Sequence, residues 1–296
     1  MGNKLIFLGT GTSSNIPVIC CLVAKPPTCN VCLAAVTEEG KKNRRRNTSV
    51  IVQLDSENGE RPKTILIDCG KNFYEAALNV FPKNGLSEID AVLLTHPHAD
   101  AINGLDDLRG WTMNGPQSTL HIYLTQETYD TIARAAPYMV DASKATGGGD
   151  VPAFTFHIFS PENPFNLLTC NNVQVTPLPV HHGSYFGEQK SKPFWCMGFR
   201  ICNLSYISDT NFIPPSTKSL MEGSKVVVLD ALRSFPHASH FSFDQAHEFV
   251  ESMEKKPKKV FYTGFCHRTE HSDMERAFAN LEPPTKPAYD GLVVEL

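Results

Sequence analysis

At 296 residues with 41% hydrophobic content, the chain can bury one large core, and a single domain spanning 1–296 is expected. A formal net charge of −4 excludes a strongly basic nucleic-acid binder, and no apolar stretch approaches the roughly 20 residues that a membrane span needs. Nine cysteines, an odd number, argue against a disulfide framework and for a reducing compartment. Met1-Gly2-Asn3-Lys4 runs straight into an apolar stretch without a signal-peptide profile, and Ile6 stands where myristoylation of Gly2 wants Ser or Thr. A cytoplasmic protein is predicted.

In chain order, apolar runs and alternation predict strands over 4–8, 49–54 and 64–68. Gly9-Thr10-Gly11-Thr12 turns the first strand; no Gly-Lys-Ser follows, so a phosphate loop is not expected. The basic run Lys41-Lys42-Asn43-Arg44-Arg45-Arg46 reads as a solvated face, able to steer anions if the fold brings it near a site. A helix over about 72–80 and a strand over 91–94 come next. One helix through Asp106, Asp107 and Arg109 and another over 126–134 are predicted after it. Residues 142–150, with Gly147-Gly148-Gly149, form a flexible loop by composition that can cover a site. An apolar run over 175–180 leads into His181-His182-Gly183, and the polar stretch 184–193 behind it is a candidate substrate-facing loop. Another apolar run, 204–208, leads into Asp209-Thr210, and a helix is expected over 244–253.

The chemistry concentrates in Leu93-Leu94-Thr95-His96-Pro97-His98-Ala99-Asp100, where an apolar strand meets two imidazoles and a carboxylate. Imidazoles two apart on a tight loop can converge on one cation, and Asp100 adds a hard oxygen donor. Three other apolar runs end likewise, in Asp68-Cys69-Gly70, His181-His182 and Asp209-Thr210. Four strand ends each delivering a metal-capable group predict a shared metal site. Separately, Cys29-Asn30-Val31-Cys32, with Cys20 and Cys21 upstream, has the two-residue spacing that wraps a tetrahedral zinc, although buried free cysteines also pack simply as core.

The His96-Pro97-His98-Ala99-Asp100-Ala101 loop, together with Leu8-Gly9-Thr10-Gly11-Thr12, Gly104-Leu105, Leu178-Pro179-Val180-His181-His182, Ser208-Asp209-Thr210 and Asp290-Gly291, resembles the metallo-β-lactamase superfamily. Within it the chain is most similar to the cyclic-phosphate phosphodiesterases of bacterial phosphonate breakdown and their eukaryotic relatives. The resemblance runs nearly end to end. It implies an α/β fold, an αββα sandwich of two mixed sheets with outer helices, with the metals at the sheet edge.

Residue by residue, the resemblance makes His96, His98 and His182 ligands of a first metal and Asp209 a bridge to a second, with Asp100 a further ligand or a base. It makes Asp68 the carboxylate that accepts the free N–H of a ligand imidazole, against a plain turn role. It gives Cys21, Cys29, Cys32 and His267 a structural zinc, Cys20 competing with Cys21. His267 has a rival role, sharing a helical face with His271 and reaching the second metal. His240 resembles the histidine that faces the substrate phosphate, able to stabilise an oxyanion or protonate the leaving oxygen, against a local helix-end role; His237 is the weaker candidate.

Two departures stand out. Ala101 replaces one histidine of the second metal, and Val260-Phe261-Tyr262-Thr263-Gly264 ends in glycine where the family has another. Asp100 and Asp209 alone favour a hard ion such as manganese there. The implied activity is a metal-dependent hydrolase, a phosphodiesterase on a cyclic nucleotide or sugar phosphate acting by metal-bound hydroxide, with one or two Zn or Mn ions plus a structural Zn. Its partner is a small phosphorylated substrate, with neither membrane nor nucleic acid expected. Thioester or lactone hydrolysis on the same fold, and a noncatalytic metal-binding protein, stand as alternatives.

Overall fold

The structure, a computed structural model, describes residues 2–56, 59–187 and 192–296. Six strands come first: β1 (Lys4–Gly9), β2 (Ser49–Leu54), β3 (Lys63–Ile67), β4 (Ala91–Leu93), β5 (Leu120–Leu124) and β6 (Phe154–Ile158). Then follow β7 (Phe165–Leu167), β8 (Val173–Ser184), β9 (Pro193–Ile201), β10 (Leu204–Ile207), β11 (Val226–Asp230), β12 (Lys259–Thr263), β13 (Thr285–Pro287) and β14 (Val293–Glu295). They form two seven-stranded sheets, ordered β14-β1-β2-β3-β4-β5-β6 and β13-β12-β11-β10-β9-β8-β7. Each is mixed: β3 to β6 pair in parallel, as do β10 to β13, while β1–β2 and β8–β9 are antiparallel.

Side-chain alternation divides the apolar residues between two layers. Leu5, Phe7, Val50, Val52, Ile65 and Ile67 of one sheet share a buried cluster with Phe199, Ile201, Tyr206, Val228 and Phe261 of the other. Their neighbours Ile6, Leu8, Ile51 and Leu66 point outward under α3 (below), and Val227, Leu229, Val260 and Tyr262 point outward on the other side. Strands covered on both faces read as continuous apolar runs, which is why these were visible in the sequence. The αββα sandwich is therefore the observed fold.

Helices cover the outside. α1 (Ile19–Val23) and α2 (Asn30–Ala34) lie between β1 and β2, and α3 (Phe73–Val80) follows β3. α4 (Ala99–Ile102) and α5 (Arg109–Thr112) follow β4; α6 (Gln126–Ala135) and α7 (Pro137–Val140) follow β5. α8 (Pro215–Met221), α9 (Phe243–Ser252) and α10 (His271–Phe278) follow β10, β11 and β12. Ser242 and Gln245 close a reciprocal capping box on α9, fixing the entry of the chain just after His240.

Three expectations change. The single helix expected through Asp106, Asp107 and Arg109 is instead α4, a 3-10 turn at Leu105–Leu108 and α5. Gly104 explains the break: a Cβ there would sit 2.2 Å from the Gly70 carbonyl oxygen, so the chain must approach the β3 end too closely for a regular helix to continue. His181 and His182 do not follow a strand but lie inside β8. The 142–150 segment stays an exposed surface loop as expected, with a 3-10 turn at Ala142–Lys144 and local hydrogen bonds. Lastly, the basic run is not solvated at its end: Arg45 is fully buried and Arg46 nearly so.

Arg45 survives burial because carbonyl oxygens meet its donors. It reaches Cys266 O at 2.7 Å, Thr269 O at 3.0 Å and Asn43 Oδ1 at 3.1 Å, which ties the 43–46 segment to the loop before α10. Asn43 also accepts from the His271 amide and donates to Glu270 Oε1 at 2.6 Å. Burial would raise the Glu270 carboxyl, but hydrogen bonds from Ser272 and Asn43 carry it down from 4.5 to about 2. A depressed carboxylate stabilises the fold above its unfolded pKa and loses that contribution as pH falls through its folded value. Glu270→Gln is therefore expected to lower the urea midpoint at pH 7, with the gap to the parent protein closing between about 4.5 and 2. A gap of equal size at pH 7 and at pH 2 would contradict this.

Candidate metal centre

The C-terminal ends of β3, β4, β10, β11 and β12 bring Asp68, His96, Asp209, Asp230 and Gly264 to one edge of the sandwich. At the end of β4 the Thr95 amide and hydroxyl both reach Asp68 Oδ1, at 2.9 and 3.0 Å. The same hydroxyl lies 2.8 Å from His96 Nδ1. With the hydroxyl proton given to the carboxylate, Thr95 accepts from Nδ1–H, which leaves the His96 Nε2 lone pair free. Asp68 thus acts on His96 through Thr95 rather than by accepting the imidazole N–H itself, a correction to its expected role. Its φ of 62° is a left-handed conformation that Asp tolerates.

His98 precedes α4 and stacks flat on Phe194, with centroids 4.8 Å apart and planes at 12°. His182 gives its Nδ1 proton to Ser239 O at 2.8 Å, so its Nε2 is free as well. The His96–His98, His96–His182 and His98–His182 rings lie 4.5, 5.3 and 5.3 Å apart, and one donor atom from each falls within 4.8 Å of the others. Of the expected pair 181 and 182, only His182 faces this cluster; His181 packs against Trp195 and Phe212.

A second group of donors, His182, Asp209 and His240, shares the same edge. Burial would raise the Asp209 carboxyl, but the His182, His96 and His240 imidazoles bring it down to about 2. Asp100 belongs to neither three-donor group, although it lies near enough to Asp209 that burial and that carboxylate together raise its pKa.

The structure adds a residue that sequence reasoning missed. Asp230, fully buried at the end of β11, takes the His240 Nδ1 proton at 2.8 Å and the Thr210 amide at 2.9 Å on the same oxygen, Oδ2. Burial opposes charge on His240, but Asp230, by proximity and hydrogen bond, and then Asp209 and Asp100 carry it up to about 9. The signal was present: Val226-Val227-Val228-Leu229-Asp230 is one more apolar run ending in a carboxylate. Its other oxygen, Oδ1, fills the space beside Gly264, whose φ is 77° and where a Cβ would lie only 2.5 Å away. The glycine that replaces the expected histidine is therefore backed by Asp230, and Ala101 is buried with its carbonyl bound to the Cys69 amide.

The cysteine cluster assembles as expected. The sulfurs of Cys21, Cys29 and Cys32 lie 3.3, 3.4 and 3.7 Å from His267 Nδ1, while Cys20 is exposed outside the group. His267 precedes α10 and His271 begins it, buried with Nε2 3.3 Å from Glu275, so the two do not share a helical face. The rival role of His267 is ruled out by that geometry.

Both groups suit a metal. His96 Nε2 is buried without any hydrogen-bond partner, an orphan that an ion would satisfy. At the other cluster, burial pushes the Cys32 thiol up to about 12, and three crowded sulfurs around one imidazole match the ligand set of structural zinc. Of the expected loop 184–193, residues 188–191 lie outside the described residues; ahead of them Tyr185 donates to Glu127 Oε1 at 2.8 Å.

Comparison with known proteins agrees with this architecture. A model of the beta-lactamase superfamily domain matches residues 63–265. An octanoyltransferase of Porphyromonas gingivalis is 27% identical over 291 residues, 98% of this chain but 51% of that protein, so the chain spans about half the length of the curated relative it matches. A diphosphatase of the PhnP family is similar in structure over 99% of this chain and 98% of its own, with 27% identity and a TM-score of 0.77. Zinc-bound PqqB from Methylobacterium extorquens (16% identity, TM-score 0.71, 99% and 100% covered) shares the fold, as does the short form of human tRNase Z (17%, 0.59, 99% and 98%).

Proposed function

Because this chain belongs to the beta-lactamase superfamily, a family of hydrolases, we propose that it is a metal-dependent phosphodiesterase acting on a small phosphorylated substrate such as a cyclic nucleotide or sugar phosphate. The observation that carries the reading is the Asp230–His240 pair set against the three-histidine cluster and Asp209. A phosphodiester, with an alkoxide to expel, gains from such an acid, whereas a thioester, whose thiolate leaves without a proton, does not need one. The similarity to a PhnP-family diphosphatase supports hydrolysis at phosphorus.

In this reading His96, His98, His182 and Asp209 hold a zinc or manganese ion, and Cys21, Cys29, Cys32 and His267 a structural zinc. An ion held there would lower the pKa of a water and offset charge on the phosphoryl oxygens. Thr95 and Ser239 fix the tautomers of His96 and His182, so that both offer Nε2 without rearrangement. Asp230 holds the His240 Nδ1 proton, leaving the Nε2 proton to be given to the departing oxygen. Asp100, outside both donor groups, is left to accept a proton from the attacking water.

The test is an assay of the chelator-stripped protein with bis(4-nitrophenyl) phosphate and 2′,3′-cyclic nucleotides, before and after adding zinc or manganese. Turnover restored by either ion is expected, and silence under every condition overturns the reading. The octanoyltransferase name of a relative favours one second reading, hydrolysis of an acyl ester or thioester. Cleavage of an octanoyl thioester without any phosphodiester turnover would select it.

A further inference from the structure

Two of the three histidines that meet at the sheet edge have a polar partner on Nδ1: the Thr95 hydroxyl for His96 and the Ser239 carbonyl for His182. Among the described residues the His98 ring has none, and His98 is the exposed member of the group. A histidine ring turns about a broad, roughly two-fold torsion. A ligand imidazole with nothing on its second nitrogen therefore swings unless some other contact fixes its plane.

Phe194 supplies that contact, and the register of β8 and β9 explains how. His181 pairs with Trp195 and Ser184 with Pro193, so His182 and Gly183 together oppose the single residue Phe194. This bulge, with Gly183 at a φ of 75°, sets His181 against Trp195 and His182 against Phe194. Phe194 is only 7% exposed and meets all three imidazoles, flat on His98 at 4.8 Å and 12°, and steeply inclined to His96 and His182 at 6.3 and 6.2 Å. The ring is itself held. Tyr185 packs edge-on against it at 5.3 Å and donates its hydroxyl to Glu127 of α6, while the Met197 amide ties β9 to the Thr95 carbonyl at 2.9 Å.

We infer that Phe194 is a positioning residue of the metal centre, which holds the plane of His98 by stacking, in place of the hydrogen bonds that orient His96 and His182. A face-on contact suits a ligand imidazole: an ion on the ring nitrogen would draw electron density from the ring, and the π face of Phe194 attracts the positive character that results. An apolar side chain without a flat face fills the space but leaves the ring free to turn. The inference rests on the reading of the histidine cluster as a metal site and is independent of which bond the centre cleaves.

The experiment titrates the zinc-loaded protein and its Phe194→Leu, Phe194→Tyr and His98→Ala variants with a chelator, following retained zinc by elemental analysis alongside urea unfolding. The parent protein is expected to release zinc in two steps, one of which His98→Ala removes. In Phe194→Leu that step is expected at about 10- to 100-fold lower chelator concentration, the range for losing a group that orients a ligand, while the step of the cysteine cluster stays in place. Phe194→Tyr keeps the ring and is expected to restore the step. A role in packing alone would lower the urea midpoint of Phe194→Leu and leave its zinc step where the parent has it; that result overturns the inference, as does a Phe194→Tyr step no better than that of leucine. Phe194→Met, flexible and without a flat face, makes the same comparison if the leucine variant does not fold. A parent protein with no step sensitive to His98→Ala overturns the metal reading and this inference with it. Loss of the step with leucine and its return with tyrosine support the inference whether or not any phosphodiester is cleaved.

Discussion

Asp230→Asn is expected to lower kcat toward phosphodiesters by about 10²- to 10⁴-fold, the range a positioned general acid contributes, with the metal content of the histidine cluster unchanged. The substitution is unusually clean. Both hydrogen bonds to Asp230, from His240 Nδ1 and from the Thr210 amide, fall on Oδ2, and asparagine can keep that oxygen in place. The charge is lost, and an amide NH₂ takes the place of the buried, unpartnered Oδ1. Because Asp230, by proximity and hydrogen bond, raises the His240 pKa above that of a free imidazole, the acid form of His240 persists to higher pH and is lost only as pH rises further. In the variant the alkaline loss of activity is expected to begin at lower pH. Elemental analysis alongside a kcat–pH profile checks both halves. A change of less than about threefold, small against the range for general-acid catalysis, would mean that the pair only braces the loop between β11 and α9.

The second large effect is on folding. Cys32→Ser is expected to remove one zinc per chain and to cost about 5 kcal/mol or more, since structural zinc sites bind with about 10–16 kcal/mol that is largely folding energy. Cys32 is fully buried and packs with Ile16, Val31 and Ala35 in a small core of its own, cut off from the main clusters. Helices of five residues such as α1 and α2 have too few turns to stand by propensity. The segment carrying them is therefore expected to become protease-sensitive in the variant, while Cys20→Ser leaves metal content and urea midpoint unchanged. A full zinc complement and an unshifted midpoint in Cys32→Ser would refute the assignment.

Much of this was legible in the sequence for a definite reason. Strands buried on both faces leave unbroken apolar runs, and those ending at Asp68, His96 and Asp209 pointed to the sheet edge, while the choice of His182, which lies inside β8, came from the family resemblance. The cysteine pair was legible by spacing, the resemblance put Cys21 ahead of Cys20, and the structure groups Cys21 with it. What stayed hidden depends on contacts between distant segments. Asp230 looked like any acid until His240 was seen to give it a proton. Arg45 looked solvated because charge patterning takes no account of carbonyls from 266 and 269 that make its burial tolerable. Gly104 breaks a helix only because the Gly70 carbonyl lies against it.

Five consecutive residues, 264–268, carry a further consequence. Gly264 gives room to the Asp230 carboxylate, the Phe265 amide donates to Thr10 O, the Cys266 carbonyl anchors Arg45, His267 meets the sulfurs and Arg268 lies over the Phe235 ring. Adding or deleting one residue here would shift every one of these positions along the chain at once, so no indel in this pentapeptide can be selectively neutral. Lineages carrying this chain should vary in length at 142–150, where nothing is fastened, and keep 264–268 at constant length even where its side chains drift.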